Sequence, residues 1–238
     1  MKIIASDFDG TFCREGGIIQ SDLDAVKKWR EAGNLFGFST GRCFGSISKK
    51  VKDMEVDFFV CSGGAAVYNG NGELLWENAY SVDLPIDALE IIADYDTPYI
   101  DVTYDKKEWN LIDRYQKNPF PENIKKIHHT GISCASQEMA RELSRVLTEE
   151  FDGRATGQYN YMNVDLVSPG VTKTTGIREL LKITGVKEED VITIGDQLND
   201  YEMIRDFNGC AVVNAYEPVK AIARKLYANF TDLVNDHI

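Results

Sequence analysis

The sequence predicts an α/β protein with a doubly wound, mostly parallel sheet that is interrupted by an α+β insert. Short apolar runs alternate with helical stretches, which predicts the sheet, and a middle segment that breaks this alternation predicts the insert. With 238 residues, of which 43% are hydrophobic and 27% charged, the chain is long enough to bury such a core. We expect the core at residues 1–81 and 165–238 and the insert at residues 82–164.

The first predicted strand begins near Ile3 and ends in the turn Asp7-Phe8-Asp9-Gly10. Asp7 and Asp9 are two residues apart, so an extended backbone directs both side chains to the same side. Open α/β sheets bind ligands at this carboxyl edge. The repulsion between two carboxylates requires a cation or a shared proton, and a hard oxygen site suits Mg²⁺ best. Taken alone, the same residues equally fit a plain turn and a strand-end cap.

The alternation continues through residues 11–81. We expect a hairpin that turns at Gly16-Gly17 and overhangs the two carboxylates. A capping box at Ser21–Asp24 predicts the start of a helix that Gly33 ends. The remaining predicted elements are strands at 35–40 and 58–61, a helix at 44–53 and a hairpin around residues 69–72.

The insert is predicted to contain two helices and its own strands, which pair locally and favour a second small domain. We expect helices at 86–95 and 137–151, strands at 99–104, 109–112, 124–132, 154–158 and 163–167, and a proline-containing loop at 118–121. His128 and His129 are adjacent on a strand, so their rings point in opposite directions. This favours one packed and one solvated histidine over a metal site.

After the insert, the strand and helix alternation returns. We expect helices at 173–183 and 215–227 and strands at 191–194 and 210–213. Lys173 lies in the first turn of its helix, where the helix dipole disfavours a cation, which indicates an anionic neighbour. Asp196 follows a buried strand just as Asp7 does, whereas Asn199 and Asp200 also suit helix N-caps.

Charge and cysteine content exclude several classes of partner. The formal net charge of -12 disfavours nucleic acid and anionic membranes, because both would repel the protein. The five scattered cysteines form no C-x-x-C pair, which favours reduced thiols over disulfides or a zinc site. No long apolar stretch is present, so we expect a soluble, cytoplasmic protein. The sequence indicates no oligomeric state.

Four motifs together resemble motifs I to IV of the haloacid dehalogenase-like hydrolases. In chain order they are Asp7-Phe8-Asp9-Gly10-Thr11, Thr40-Gly41-Arg42, Lys173, and Gly195-Asp196 with Asn199-Asp200. Residues 170–173, Met203, Asn214-Ala215 and Lys220-Ala221 are similar to the Cof-type subgroup, whose large type IIB cap is inserted between motifs II and III. The resemblance implies a Rossmann-like core and makes residues 82–164 the α+β cap domain. One departure is Gly63-Gly64, where many Cof-type members have Asn-Gly, and this leaves the leaving-group specificity open.

The resemblance also implies a magnesium-dependent phosphatase that hydrolyses a small phosphorylated metabolite, a sugar phosphate above all, through an aspartyl-phosphate intermediate. Asp7 would be the nucleophile and Asp9 the general acid and base. Thr40 and Lys173 would stabilise the transferring phosphoryl group. The implied substrate-binding residues are Thr40, Gly41, Arg42, Lys173 and Asn199, and the implied Mg²⁺ ligands are Asp7, the backbone carbonyl of Asp9, Asp196 and Asp200.

Two other functions stay open from the sequence. A sugar phosphomutase or phosphotransferase of the same superfamily would keep both carboxylates, and a non-catalytic phosphate-binding module would be expected to lack one of the motif residues. Substrate contacts within the insert are not assigned by any motif. Tyr159, Asn160 and Tyr161 are candidates, although a plain strand and turn explains them better.

Overall fold

The computed structural model describes residues 1–113, 116–117 and 124–238, so the proline-containing loop expected at 118–121 lies outside the described residues. The strands are β1 (Ile3–Ser6), β2 (Leu35–Ser39), β3 (Phe58–Cys61), β4 (Ala66–Asn69), β5 (Leu74–Glu77), β6 (Tyr80–Ser81), β7 (Tyr99–Tyr104), β8 (Lys107–Asp113), β9 (Gln116–Lys117), β10 (Lys126–Ile127), β11 (His129–Ser133), β12 (Thr156–Asn160), β13 (Asn163–Val167), β14 (Val191–Gly195), β15 (Asn208–Val212) and β16 (Leu226–Tyr227). The helices are α1 (Gln20–Glu31), α2 (Phe44–Lys50), α3 (Asp83–Ile91), α4 (Gln137–Glu150), α5 (Lys173–Thr184), α6 (Tyr201–Asp206), α7 (Glu217–Ile222) and α8 (Phe230–His237). Of the helices described, none has the length and apolar character needed to cross a membrane.

The larger sheet runs in the order β16-β15-β14-β1-β2-β3-β4-β5 over the described residues. Its strands from β16 to β3 are parallel, whereas β4 and β5 pair antiparallel at one edge. β1 lies between β14 and β2. Because the carboxyl ends of parallel strands share one edge, the segments that follow β1, β2 and β14 meet there.

Aromatic side chains fix the turn after β1 against the core. Phe8 and Phe12 are buried on either side of the turn and pack edge-to-face on Phe38 of β2, with ring centroids 5.3 and 5.2 Å apart. Phe12 also packs on Phe230 of α8. Such aromatic pairs stabilise beyond the area they bury, so the turn that carries the first motif is held by the core itself.

The insert forms a second, antiparallel sheet in the order β12-β13-β11-β7-β8-β9. Apolar side chains at alternate positions, including Ile100, Val102 and Ile132, pack in one cluster with Leu143 and Leu147 of α4. The other face of these strands is polar, as the two-residue period of a half-buried strand requires. That residues 82–164 fold as a separate domain stays a prediction.

The start of α1 and the segment before it differ from the sequence prediction. The helix begins at Gln20, so Ser21 lies inside it and the predicted capping box is wrong. Residues 9–17 form two isolated bridges rather than a hairpin. Arg14 pairs with the buried carboxylate of Asp22 and donates to the carbonyl of Ala228. These contacts hold Arg14 against α1 and the C-terminal part of the chain.

Near the C-terminus, the helix predicted at 215–227 is shorter than expected, because α7 ends at Ile222. The chain then joins the sheet as edge strand β16. The backbone N–H of Arg224 donates to Gly209, and the carbonyl of Lys225 accepts from Ala211. Tyr227 is thereby buried in the core, which a continued helix at the surface would not achieve.

Three predictions within the insert need correction. The predicted strand at 124–132 is divided into β10, which pairs with β6, and β11, which lies between β7 and β13. The helix predicted at 86–95 begins earlier, at Asp83, and its regular part ends at Ile91. The prediction that one histidine is solvated is wrong, because His128 and His129 are both buried. Each ring has a carboxylate partner, Glu77 for His128 and Asp165 for His129.

Candidate active site

Asp7 and Asp9 lie at the carboxyl edge of the large sheet, as predicted. The N–H of Asp7 donates to the carbonyl of Ile194 on β14, which extends the pairing of β1 by one residue. Asp7 is buried, whereas the Asp9 side chain is about half exposed. The two carboxylates line the same cavity but have different partners.

Three buried carboxylates meet beside this turn. Asp7, Asp196 and Asp200 each place a carboxylate oxygen within 4.8 Å of the others. Thr11 donates from Oγ1 to Oδ1 of Asp196 at 2.8 Å, which orients that carboxylate. Gly10, with φ of +84°, leaves room for it, since a Cβ there would lie 2.5 Å from Oδ2 of Asp196. This donor set of hard oxygens fits Mg²⁺ or a similar divalent cation.

Lys173 is the first residue of α5, and its side chain is 2% exposed. Its Nζ lies 2.7 Å from Oδ1 of Asp7 and 2.6 Å from Oδ1 of Asp200. The prediction of an anionic neighbour is therefore confirmed. The two carboxylates compensate both the helix dipole and the loss of water around the ammonium group.

The acidic cluster has more negative charge than Lys173 neutralises. Burial raises the pKa of Asp7 well above its ordinary value, and the charges of Asp200 and Asp196 raise it further, although Lys173 opposes them. Burial and the charge of Asp200 likewise raise the pKa of Asp196. Burial lowers the pKa of Lys173, but Asp200 and Asp7 outweigh burial and raise it, so the ammonium stays charged. Such an excess of buried carboxylate is relieved by a bound cation.

Asp200 shapes the turn after β14. Its Oδ2 accepts from the backbone N–H groups of Asp196 at 2.9 Å and Gln197 at 3.1 Å. Gln197 in turn donates from its side chain to Oδ2 of Asp196. These bonds fix the position of Asp196 relative to Asp7, so Asp200 supports the cluster as well as joining it. Asn199 faces the cavity.

The segment after β2 lies beside the acidic cluster. Thr40 is buried, and its Oγ1 accepts from the N–H of Arg42 at 3.2 Å. Arg42 makes a bidentate ion pair with Asp9, from Nε at 2.6 Å and Nη2 at 2.7 Å, and donates from Nη1 to Ser46. Thr40, Gly41 and Arg42 all line the cavity. The guanidinium predicted to bind substrate thus contacts Asp9 in this structure.

The cavity has a volume of about 380 Å³ and lies between the strand ends of the core and the polar face of the insert sheet. Its lining includes all the predicted site residues except Lys173, Asp196 and Asp200, which lie deeper. The insert contributes Tyr99, Asp101, Thr103, Glu108, His129, Gly131, Ser133, Asn160, Asn163 and Asp165.

Most of these insert residues are missed by reasoning from motifs. The indication in the sequence is the alternation of polar residues, such as Tyr99, Asp101 and Thr103 on β7. This pattern predicts that one face of the strand is polar, but it does not predict which part of the protein lies opposite that face. Of the three candidates near residue 160, Asn160 lines the cavity, whereas Tyr159 packs against Arg141 and Tyr161 is exposed.

Known proteins are similar to this chain in sequence or in fold over nearly its whole length. The model of a family described as haloacid dehalogenase-like hydrolase matches residues 4–232. The Bacillus subtilis 5-amino-6-(5-phospho-D-ribitylamino)uracil phosphatase YitU is 26% identical over 250 residues, which cover 95% of this chain and 92% of YitU. The structure of SMU.1108c from Streptococcus mutans UA159 has a TM-score of 0.87 at 19% identity, with 99% of this chain and 98% of that chain covered. The HAD subclass IIB sugar phosphatase BT4131 has a TM-score of 0.77 at 19% identity, covering 100% and 96% of the two chains.

Proposed function

Because the chain belongs to the haloacid dehalogenase-like hydrolases and is a phosphoric monoester hydrolase of that family, we propose that it is a magnesium-dependent phosphatase that acts through an aspartyl-phosphate. Its substrate is a small phosphorylated metabolite, of the sugar phosphate class. The observation that carries this proposal is the contact of Asp7 with Lys173 at 2.7 Å inside the buried acidic cluster. A carboxylate and a fixed cation at one cavity floor provide the nucleophile and the charge that phosphoryl transfer needs.

Asp7 attacks phosphorus, the bond to the leaving alcohol breaks, and the phosphoryl group becomes bound to a carboxylate oxygen of Asp7. Lys173 and Thr40 bind phosphoryl oxygens and stabilise the charge that develops on them. In this proposal, the backbone at Gly41 and the side chain of Asn199, which both line the cavity, position the phosphate. Water then attacks phosphorus, which releases inorganic phosphate and restores Asp7.

Asp9 handles the protons of both half-reactions. As an acid it protonates the leaving alcohol, and as a base it takes the proton of the attacking water. Its side chain is about half exposed, so it can exchange a proton with solvent between turnovers. Arg42 holds both oxygens of Asp9 and, in this proposal, keeps the carboxyl directed into the cavity.

The proposed Mg²⁺ ligands are the carboxylates of Asp7 and Asp196 and the backbone carbonyl of Asp9, with Asp200 supporting them. The fit rests on the oxygen donors gathered within 4.8 Å and on their excess negative charge. When bound, the ion lowers the repulsion between the anionic nucleophile and the anionic phosphate.

We also propose that residues 82–164 act as a cap over this site. The cavity is lined by strand ends of the core on one side and by insert residues such as Asp101 and Asp165 on the other. A cap in this place excludes bulk water and contacts the leaving group. YitU and BT4131, a phosphoribityl-compound phosphatase and a sugar phosphatase, support a polyhydroxylated phosphate ester as substrate.

The test is release of inorganic phosphate from a panel of sugar phosphates and p-nitrophenyl phosphate, with Mg²⁺ and with a chelator. We expect turnover that depends on Mg²⁺ and that is lost in Asp7→Asn while the variant stays folded. Isomerisation of a hexose phosphate faster than phosphate release would instead establish a phosphomutase. A folded protein that releases no phosphate from any ester would overturn the proposal.

A further inference from the structure

Three adjacent strands of the insert sheet, β7, β11 and β13, contribute residues to one wall of the cavity. β11 lies between β7 and β13, and Gly131 of β11 is directly opposite Asp101 on one side and Asp165 on the other. The same face carries His129 and Ser133, two positions away along β11. Gly131, which has no side chain, thus lies between two carboxylates on neighbouring strands. We call the group formed by Asp101, Gly131, Asp165 and His129 the Gly131 niche.

The arrangement of the niche depends on the absence of a side chain at Gly131. A Cβ at this position would lie 2.8 Å from Oδ1 of Asp101 and 3.3 Å from Cε1 of His129. Both contacts are tighter than ordinary van der Waals distance. Gly131 therefore allows the Asp101 carboxylate and the His129 ring to lie close to the β11 backbone, at the surface that faces the cavity.

The niche carries polar atoms that are oriented but not saturated. Asp165 is fixed through both oxygens, by Nε2 of His129 at 3.0 Å and by Nδ2 of Asn160 at 3.0 Å. A carboxylate oxygen accepts more than one hydrogen bond, so Asp165 can accept further donors. Nδ1 of His129 is buried and has no hydrogen-bond partner among the described residues. A buried polar atom without a partner is costly, and a bound ligand would supply one.

The charge of this wall is acidic. Among the described residues that line the cavity, the insert contributes three carboxylates, of Asp101, Glu108 and Asp165, and one group that can become positive, His129. The cations near the proposed phosphate position, Lys173 and the Asp9-paired Arg42, belong to the core. Burial raises the pKa of Asp101 to about 7, so this carboxyl is only partly ionised near neutral pH. The wall therefore favours hydrogen-bond donors and repels anions.

We propose that the Gly131 niche selects a leaving group that is uncharged or cationic and rich in hydroxyl or ammonium donors, and that it rejects leaving groups with a second phosphate or a carboxylate. This inference rests on the proposed function, because it places the phosphate against Asp7 and Lys173 and so directs the rest of the ester to the insert wall. Asp165 and Asp101 accept the donors, and His129 fixes Asp165.

The test compares kcat/KM for sugar phosphates whose leaving groups differ in charge. Glucose 6-phosphate and glucosamine 6-phosphate present donors, 6-phosphogluconate adds a carboxylate, and fructose 1,6-bisphosphate adds a phosphate. We expect kcat/KM for glucose 6-phosphate and glucosamine 6-phosphate to exceed kcat/KM for the two anionic compounds by roughly tenfold or more. A factor of this size corresponds to one hydrogen bond to a charged group. In Asp165→Asn, which keeps the shape, the preference for glucose 6-phosphate over 6-phosphogluconate should fall by roughly tenfold.

Asp152→Asn is the matched control, because Asp152 is an exposed acid of the insert that does not line the cavity, and it makes the same change in net charge. The preference of Asp152→Asn for glucose 6-phosphate over 6-phosphogluconate should equal that of the unmodified protein. Gly131→Ser gives a second readout, since its side chain would displace the Asp101 carboxylate and the His129 ring without changing the charge. This variant should raise KM for glucose 6-phosphate by roughly tenfold.

Equal kcat/KM values for neutral and anionic leaving groups would overturn the inference while leaving the phosphatase intact. An equal change of preference in Asp165→Asn and Asp152→Asn would also overturn it. Absence of turnover on every ester, p-nitrophenyl phosphate included, would instead overturn the proposed function together with this inference.

Discussion

Arg42 holds both carboxylate oxygens of Asp9, with Nε 2.6 Å from Oδ2 and Nη2 2.7 Å from Oδ1. The hydrogen bonds and charge of Asp9 raise the pKa of Arg42, so the guanidinium is charged. The ion pair is partly exposed, and opening it costs about 1 kcal/mol or less. Asp9 is therefore held in position by an ion pair that opens at low cost, which suits the general acid and base proposed for it.

Replacing Asp9 by Asn should lower kcat by about 10²–10⁴-fold, because the variant can neither protonate the leaving alcohol nor activate water. The variant Arg42→Gln, alone and combined with Asp9→Asn, distinguishes positioning of Asp9 by Arg42 from direct binding of substrate by Arg42. If Arg42 acts through Asp9, the double variant loses no more activity than Asp9→Asn alone. If Arg42 binds substrate directly, KM rises further in the double variant. Steady-state kinetics of the three variants measures both quantities.

Lys173→Met should lower stability as well as activity. The variant leaves the buried carboxylates of Asp7 and Asp200 without their shared cation, which costs about 3–5 kcal/mol in the free energy of unfolding. Urea denaturation in the presence of a chelator measures this cost. Lys182→Met is the control, because Lys182 lies on the same helix with an exposed side chain. Equal losses in the two variants would show that Lys173 does not bridge the acidic cluster.

Mg²⁺ should stabilise the folded protein against heat. At an ion concentration of 100 times Kd, binding to the folded state alone adds about 2.7 kcal/mol. Asp196→Asn removes a proposed ligand, so its melting temperature should not respond to Mg²⁺. Asp152→Asn should respond as the unmodified protein does. An identical response of all three proteins would place Mg²⁺ outside the acidic cluster.

Stability should depend on pH through Asp101. Burial raises its pKa from the ordinary value of 3.8 to about 7, although the charge of His129 opposes this and Glu108 and Asp165 add to it. The folded state therefore keeps a proton that the unfolded state loses, and stability falls as pH rises from about 4 to about 7.

The side chain of Asp101→Asn does not titrate, so the variant does not lose this stability as pH rises. The melting temperature of the variant minus that of the unmodified protein should therefore increase from about pH 4 to about pH 7 and stay constant above pH 7. At about 1.4 kcal/mol per pKa unit, the limiting difference is about 4 kcal/mol. Thermal unfolding of both proteins at a series of pH values measures it. A difference that does not change with pH would show that the Asp101 carboxyl is well solvated.

The sequence predicts the core of this site well because its residues are tied to strand ends. Asp7, Thr40 and Asp196 each follow a buried strand, and the sheet order brings them to one edge. The surroundings of Lys173 are predictable from its position at a helix start, since a cation there needs an anionic partner.

The insert side of the site is not predictable from the sequence, because its residues meet through tertiary pairing. Asp101 and Asp165 are 64 positions apart and become neighbours only through β11, whose register a single sequence does not determine. The strand position of His129 follows from the local pattern, but its burial depends on Asp165. Likewise, the strand β16 replaces a predicted helix because the sheet edge offers it backbone partners.

The central claim is that Asp7 carries the phosphoryl group during turnover, and trapping that intermediate tests it most directly. The protein would be mixed with a hydrolysed ester and Mg²⁺, quenched in acid within one turnover, reduced with borohydride and digested for peptide mass spectrometry. Because an acyl phosphate is reduced to an alcohol, we expect homoserine at position 7 and unmodified aspartate at positions 9, 196 and 200. Active enzyme that shows no reduction at position 7, or reduction at another carboxylate, would contradict the account.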